Sequence, residues 1–375
     1  MTIFDRVPLS DLRRRTSEKW RRYPADVLPL WVAEMDVPVA DVVVRAVHDA
    51  LTAGDTGYHE GSALAEALAE FAAKRWAWQV DPGRVRLVPD VMQGIAEVVR
   101  VVTGPGDAVV INPPVYPPFT SFVEHAGRRV EHAPLGADGR LDLAQLDAAF
   151  ARATAGGGRA AYLLCHPHNP TAALHTRDEL AAVGELAARH GVQVVADEIH
   201  APVVLDGEFV PTTTVVPGAI ALHSASKAFN LAGLRAAVVV PGPDADVAGI
   251  SPVLADGVSH VAAIAQVAAY RDGGAYLDEV LDGLRANVTT LQSLLASQVP
   301  AVAWRPPAAT YFAWLDLGSI TDDPDPARAL LARGRLAVNR GPSFGPGGEH
   351  HVRLNLAAST EVLTEAVRRI AATFA

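Results

Sequence analysis

The chain has 375 residues, half of them hydrophobic, and a formal net charge of -10; such a length calls for two packed domains rather than one core. No apolar run approaches the ~20 residues of a bilayer-spanning helix, and the acidic balance speaks against general nucleic-acid binding, which needs clustered cations facing phosphates. A single cysteine, Cys165, forms neither an internal disulfide nor a zinc–thiolate cluster. The basic residues between Arg13 and Arg22 are interrupted by Glu18 and followed by no apolar signal core, so no export or transit signal is read. A cytoplasmic protein acting on a small molecule is the expectation.

Along the chain, Leu64, Leu68 and Phe71 stand at helical spacing. Val85 to Val88, Ala108 to Ile111, Ala160 to Cys165 and Gln193 to Ala196 are short apolar runs that read as buried strands. Between the last two lies a helix from about Arg177 to His190, opened by Thr176 with Glu179 three residues on, the spacing of a capping box. From about Ala63 to Val240 this alternation predicts an α/β fold, a mostly parallel sheet flanked by helices. After about Asp282 a helical stretch leads to strand-like Ala301 to Trp304, Tyr311 to Asp316 and Val352 to Asn355, then to a closing helix after Ser359, a smaller α+β domain. The expected division is a large domain at 46–282 and a small one made of 1–45 and 283–375, with Gly341 to Gly348 as a flexible loop.

Of the 32 Lys and Arg residues only Lys19, Lys74 and Lys227 are lysines. Arginine replaces lysine wherever a cation suffices, but its guanidinium stays protonated and forms no imine, so a Schiff-base site must keep its amine. Lys227 follows Ser224-Ala225-Ser226, just past the apolar run Ala219 to Leu222, whereas Lys19 and Lys74 have surface-type neighbours. Asp197 ends a buried strand, where a carboxylate is costly unless it meets a cation; a protonated pyridine nitrogen, a metal and a helix cap are the alternatives. His166, His168, His175 and His200 raise the metal reading, but Pro167 and Pro170 impose a turn rather than ligand spacing. The same prolines fix the backbone around Asn169, an amide able to donate to a phenolate oxygen.

The ordered set of Tyr58, Asn169, Asp197, Ser224-Ala225-Ser226-Lys227 and Arg353 resembles the fold-type I pyridoxal-phosphate (PLP) enzymes of the class I/II aminotransferase superfamily over nearly the whole chain. The resemblance implies PLP held by Lys227, with Asn169 on its O3', Asp197 on the pyridinium and Tyr116 stacked on the ring. It implies a phosphate cup of Arg235, Ser224, Ser226 and the backbone amides near Val91 and Met92, and Arg353 gripping the substrate carboxylate as a bidentate fork. Tyr58 resembles the tyrosine that reaches the phosphate of the neighbouring subunit, so a homodimer is implied.

Three stretches look like the MalY/PatB-type carbon–sulfur β-lyases, or cystathionine β-lyases. Trp31-Val32-Ala33-Glu34-Met35-Asp36 resembles their amino-terminal signature, with Glu34 where aspartate is usual, and puts Ala33 beside the substrate. Asp197-Glu198-Ile199-His200 places His200 at the cofactor where many aminotransferases carry tyrosine, and Ala309 to Trp314 resembles the lyase version of a Gly-Gly motif. The implied reaction is α,β-elimination of L-cystathionine or related cysteine S-conjugates to thiol, pyruvate and ammonia; a class I/II aminotransferase is the alternative, and a lyase that also binds a transcription factor a further one. Two departures stand out: Ala172 replaces the glycine usual after Asn-Pro-Thr, and Asp90 puts an anion beside the phosphate amides, from which it should point away.

Overall fold

The computed structural model describes residues 2–375. Seven strands form the larger sheet, in the spatial order Arg86–Val88, Ala237–Pro241, Ile220–His223, Val192–Asp197, Ala160–Cys165, Ala108–Ile111, Arg129–His132. The five strands from Ile220–His223 to Arg129–His132 run parallel, and Ala237–Pro241 is antiparallel to both of its neighbours. Successive side chains of a strand point to opposite faces, and both faces are covered. Val109, Leu163, Val195 and Leu222 pack on one side with Ile95, Val98 and Phe119. Val110, Leu164, Val194 and Ala221 pack on the other with Leu146, Phe150, Leu180 and Val183. Burial on both faces is why these strands read as unbroken apolar runs rather than as alternation.

The expected strands lie at their predicted positions within a residue or two, and the helix Arg177–His190 carries the reciprocal bonds of its capping box, Glu179 N–H to Thr176 Oγ1 at 3.2 Å and Thr176 N–H to Glu179 Oε2 at 2.7 Å. Val85 to Val88 is less buried than expected: Arg86–Val88 is an edge strand with Arg86 and Leu87 half-buried. The other edge, Arg129–His132, has no fully buried residue and gave no apolar signal.

The second sheet is antiparallel, in the order Asn339–Arg340, His351–Asn355, Phe312–Asp316, Ala303–Trp304. Leu28–Pro29 pairs with Leu336–Ala337, tying the amino-terminal segment to the carboxyl-terminal one. The helix Gly274–Gln298 runs through position 282 and buries Leu277, Val280, Leu284, Leu291 and Leu295 in the same core as this sheet. Gly341 to Gly348, expected as a loop, opens with regular structure. Gly341–Phe344 is a turn of 3-10 helix, and a Cβ on Gly341 would sit 2.0 Å from the Gly348 carbonyl oxygen, so the glycines there serve close backbone approach.

Lys19, expected at the surface, is 1% exposed. Its Nζ lies 2.7 Å from Asp36 Oδ1 and donates to the Glu34 carbonyl at 3.1 Å. The charged and aromatic neighbours in sequence did not report that Asp36, seventeen residues on, folds back over it.

Candidate active site

Parallel strands converge at their carboxyl ends, where an open α/β sheet places its ligand. A cavity of about 240 Å³ opens there. Cys165 and Asp197, the last residues of adjacent strands and partners in register, form its floor. Lys227 enters from the turn after Ile220–His223. That turn is stapled by Gln266, whose Oε1 accepts the Ala225 N–H at 3.0 Å and whose Nε2 donates to the Ala236 carbonyl at 2.7 Å. Sequence reading missed Gln266; its one signal was a polar side chain in the otherwise alanine-rich face of the helix His260–Asp272.

The structure brings Ala33, Val91, Met92, Tyr116, Asn169, Asp197, His200, Ser224, Ser226, Lys227 and Arg235 together around this cavity. Arg353 stands behind it, buried, donating to Asn169 Oδ1 at 2.8 Å and to the Trp31 carbonyl at 3.1 Å, with its guanidinium 4.0 Å from the centre of the Phe312 ring. Its Nε has no partner among the described residues. Because Asn169 Oδ1 is taken by Arg353, the Asn169 amide nitrogen is the donor left for the cavity. Tyr58 is not brought in: it is 96% exposed and outside the cavity lining.

Burial sets the protonation of the two central groups. It pushes the Asp197 carboxyl up to about 6, against the Ile199 N–H and the nearby Lys227 amine, which favour the anion. It pulls the Lys227 amine down to about 8, helped by the Arg353 charge and opposed by Asp197. His200 is held well below its usual range by burial and by the Lys227 and Arg353 charges, so it is neutral, its ring edge-on to Tyr311 and Phe312.

The anion side of the cavity is the start of the helix Val91–Val102. The first amides of a helix have no intrahelical acceptor; Gln93 N–H bonds Asp90 Oδ1 at 2.9 Å and Gly94 N–H the Asp90 carbonyl, which leaves Val91 and Met92 facing the pocket. Asp90 does not point away, as its charge led us to expect. It caps the helix, lines the cavity and pairs with Arg235. Ser224 is also less free than expected, its hydroxyl lying 2.8 Å from the Ala236 carbonyl, so Ser226 is the hydroxyl with donor capacity to spare. Ala172, where glycine is usual, sits in the left-handed region at φ +59°.

These groups fit PLP. A desolvated amine suits an aldehyde, a buried carboxylate lacking a full cation partner suits a pyridinium, an amide donor suits a phenolate, and free helix amides beside an arginine suit a phosphate. Among the described residues no three His, Cys, Asp or Glu side chains are placed to share a metal ion, and no helix is long and apolar enough to cross a membrane.

Comparison with known sequences agrees with this chemistry: the sequence model of the aminotransferase class I and II family matches residues 25–370, and the chain belongs to that family. Within it, the chain is 48% identical to a Mycobacterium leprae protein provisionally named a cystathionine beta-lyase, over 98% of this chain and 96% of that one. It is 32% identical to the cystathionine beta-lyase PatB of Bacillus subtilis over 92% of each chain. A Corynebacterium diphtheriae crystal structure, provisionally described as a PLP-dependent beta-cystathionase, has a TM-score of 0.91 at 32% identity, covering 100% of this chain and 99% of that one.

Proposed function

We propose that the chain is a PLP-dependent carbon–sulfur β-lyase that cleaves L-cystathionine or related cysteine S-conjugates to a thiol, pyruvate and ammonia. The observation that carries the cofactor is the cavity itself, with an amine, a carboxylate, an amide donor and an anion cup arranged around one space. The choice of elimination leans on the named lyases at 32 to 48% identity.

In this reading Lys227 anchors the cofactor and Asp197 holds the pyridine nitrogen's proton. Asn169 Nδ2 donates to the phenolate oxygen, and Tyr116 covers one ring face. Val91, Met92, Ser226 and Arg235 hold the phosphate, with Ser224 bracing Ser226, and neutral His200 packs beside the ring. Arg353, whose terminal nitrogens donate to Asn169, Trp31 and Asn339 and whose Nε has no partner among the described residues, is the cation that takes the substrate α-carboxylate, while Ala33 closes the substrate side. When bound, PLP supplies the electron sink for negative charge at Cα. Lys227 Nζ is the amine placed to take the Cα proton once it is free; with a pKa of about 8 it reaches the required neutral form near physiological pH. The Cβ–S bond then breaks with its electron pair on sulfur, which takes up the proton held by Lys227 and leaves as thiol, and water completes release of pyruvate and ammonia.

The proposal includes a homodimer in which exposed Tyr58 reaches the partner's phosphate cup, the division into domains at 46–282 and at 1–45 with 283–375, and a cytoplasmic setting in which the buried thiol of Cys165 stays reduced. The test supplies L-cystathionine with no 2-oxo acid and follows pyruvate. Release over many turnovers is expected; a stoichiometric burst that resumes only on adding an amino acceptor identifies an aminotransferase instead.

A further inference from the structure

We infer that Asp90 competes with the cofactor phosphate for Arg235, so that this chain holds PLP less tightly than its phosphate cup alone allows. The inference rests on the cofactor reading above and concerns a residue that reading leaves without a role. Asp90 uses both carboxylate oxygens: Oδ1 accepts the Gln93 N–H at 2.9 Å and caps the helix, and Oδ2 pairs with Arg235 Nη2. Arg235 has no other partner among the described residues, and its side chain is 60% exposed against 16% for Asp90. The arginine is therefore the mobile member, and the carboxylate is fixed by its cap. A phosphate seated on the amides of Val91 and Met92 lies within a helical turn of this carboxylate. It meets a like charge there, and it must share or displace the ion pair. Both effects oppose phosphate binding and neither opposes binding of the pyridine ring.

The cap and the charge are separable, because asparagine and serine cap helices about as well as aspartate. PLP affinity is measured by titrating the resolved full-length protein and following the visible band of the lysine-linked cofactor, in parallel with pyridoxal, which lacks the phosphate. Asp90→Asn and Asp90→Ser are expected to bind PLP on the order of tenfold tighter, the sum of a released surface ion pair and a removed like-charge contact. Pyridoxal affinity should stay within about twofold of wild type. In an Arg235→Leu background the gain from Asp90→Asn should shrink, since competition for the arginine is gone. Unchanged or weaker PLP binding in both variants, or an equal gain with pyridoxal, overturns the inference. A wild-type chain that gives no band with either compound overturns the cofactor reading itself and this inference with it.

Discussion

Lys19→Met tests whether the segment Trp31 to Asp36 is held in the site from behind. The variant removes the cation 2.7 Å from Asp36 Oδ1 and the donor to the Glu34 carbonyl, with both charged side chains buried. Burial already pushes the Asp36 carboxyl up against the Lys19 charge, and without that charge the acid must be buried unpaired. Breaking a buried pair from one side costs about 3–5 kcal/mol. Unfolding entropy of about 2.1 cal/mol/K per residue over 375 residues amounts to about 0.8 kcal/mol/K, so the apparent melting temperature should fall by about 5 °C. The double variant Lys19→Met with Asp36→Leu, apolar on both sides, should recover most of the loss. Because Trp31 and Ala33 lie on the same segment, with Trp31 O on Arg353 and Ala33 O on the Tyr311 hydroxyl at 3.2 Å, the single variant should also raise KM more than it lowers kcat. A melting temperature within 1 °C of wild type, or a double variant no better than the single, refutes the argument.

Four further outcomes follow from the site and its surroundings. Asp197→Asn removes the carboxylate that holds the ring proton, and kcat with L-cystathionine should fall by roughly 10²–10³, the scale of losing one preorganised electrostatic partner; a fall of less than tenfold would place the ring elsewhere. Arg353→Lys keeps the charge but loses the fork, so KM for amino-acid substrates should rise about 10–100-fold with a smaller change in kcat. Mixing Tyr58→Ala chains with Lys227→Ala chains should restore activity that neither homodimer shows, because each hybrid regains one site with Lys227 from one chain and Tyr58 from the other; mixtures as inactive as their parents exclude a shared site. Stability should decline in acid. His168, buried and held at about 4, stays neutral in the folded chain while its unfolded counterpart takes a proton below about 6.5, a loss of roughly 3 kcal/mol by pH 4. His166, His175 and His200 act in the same direction, and Asp197, raised to about 6, opposes them by gaining stability as pH falls below 6. His168→Gln should flatten this acid limb in urea midpoints measured from pH 7 to 4, and an unchanged slope counts against buried histidines as its cause.

What the sequence revealed and what it hid divide along the range of the interactions. Strands buried on both faces write an apolar run of four to six residues, so Ala108–Ile111 and Ala160–Cys165 were legible to the residue. The capping box at Thr176 and Glu179 was legible because both partners fall within one helical turn. The edge strand Arg129–His132, lined by charge and half exposed, left no such mark. At the cavity, Lys227, Asp197 and Asn169 could be picked out because each sits at or just past a strand end, a position the local pattern announces. Lys19 and Asp90 were misjudged for one physical reason. The state of a charge is decided by its partner, and Asp36 and Arg235 come to them only through the fold, the second across 145 positions. A lone carboxylate beside a phosphate site therefore reads as a contradiction in sequence. In the structure that carboxylate has Arg235 as its partner, so the affinity of Asp90 variants for PLP and for pyridoxal measures what the pair costs the phosphate.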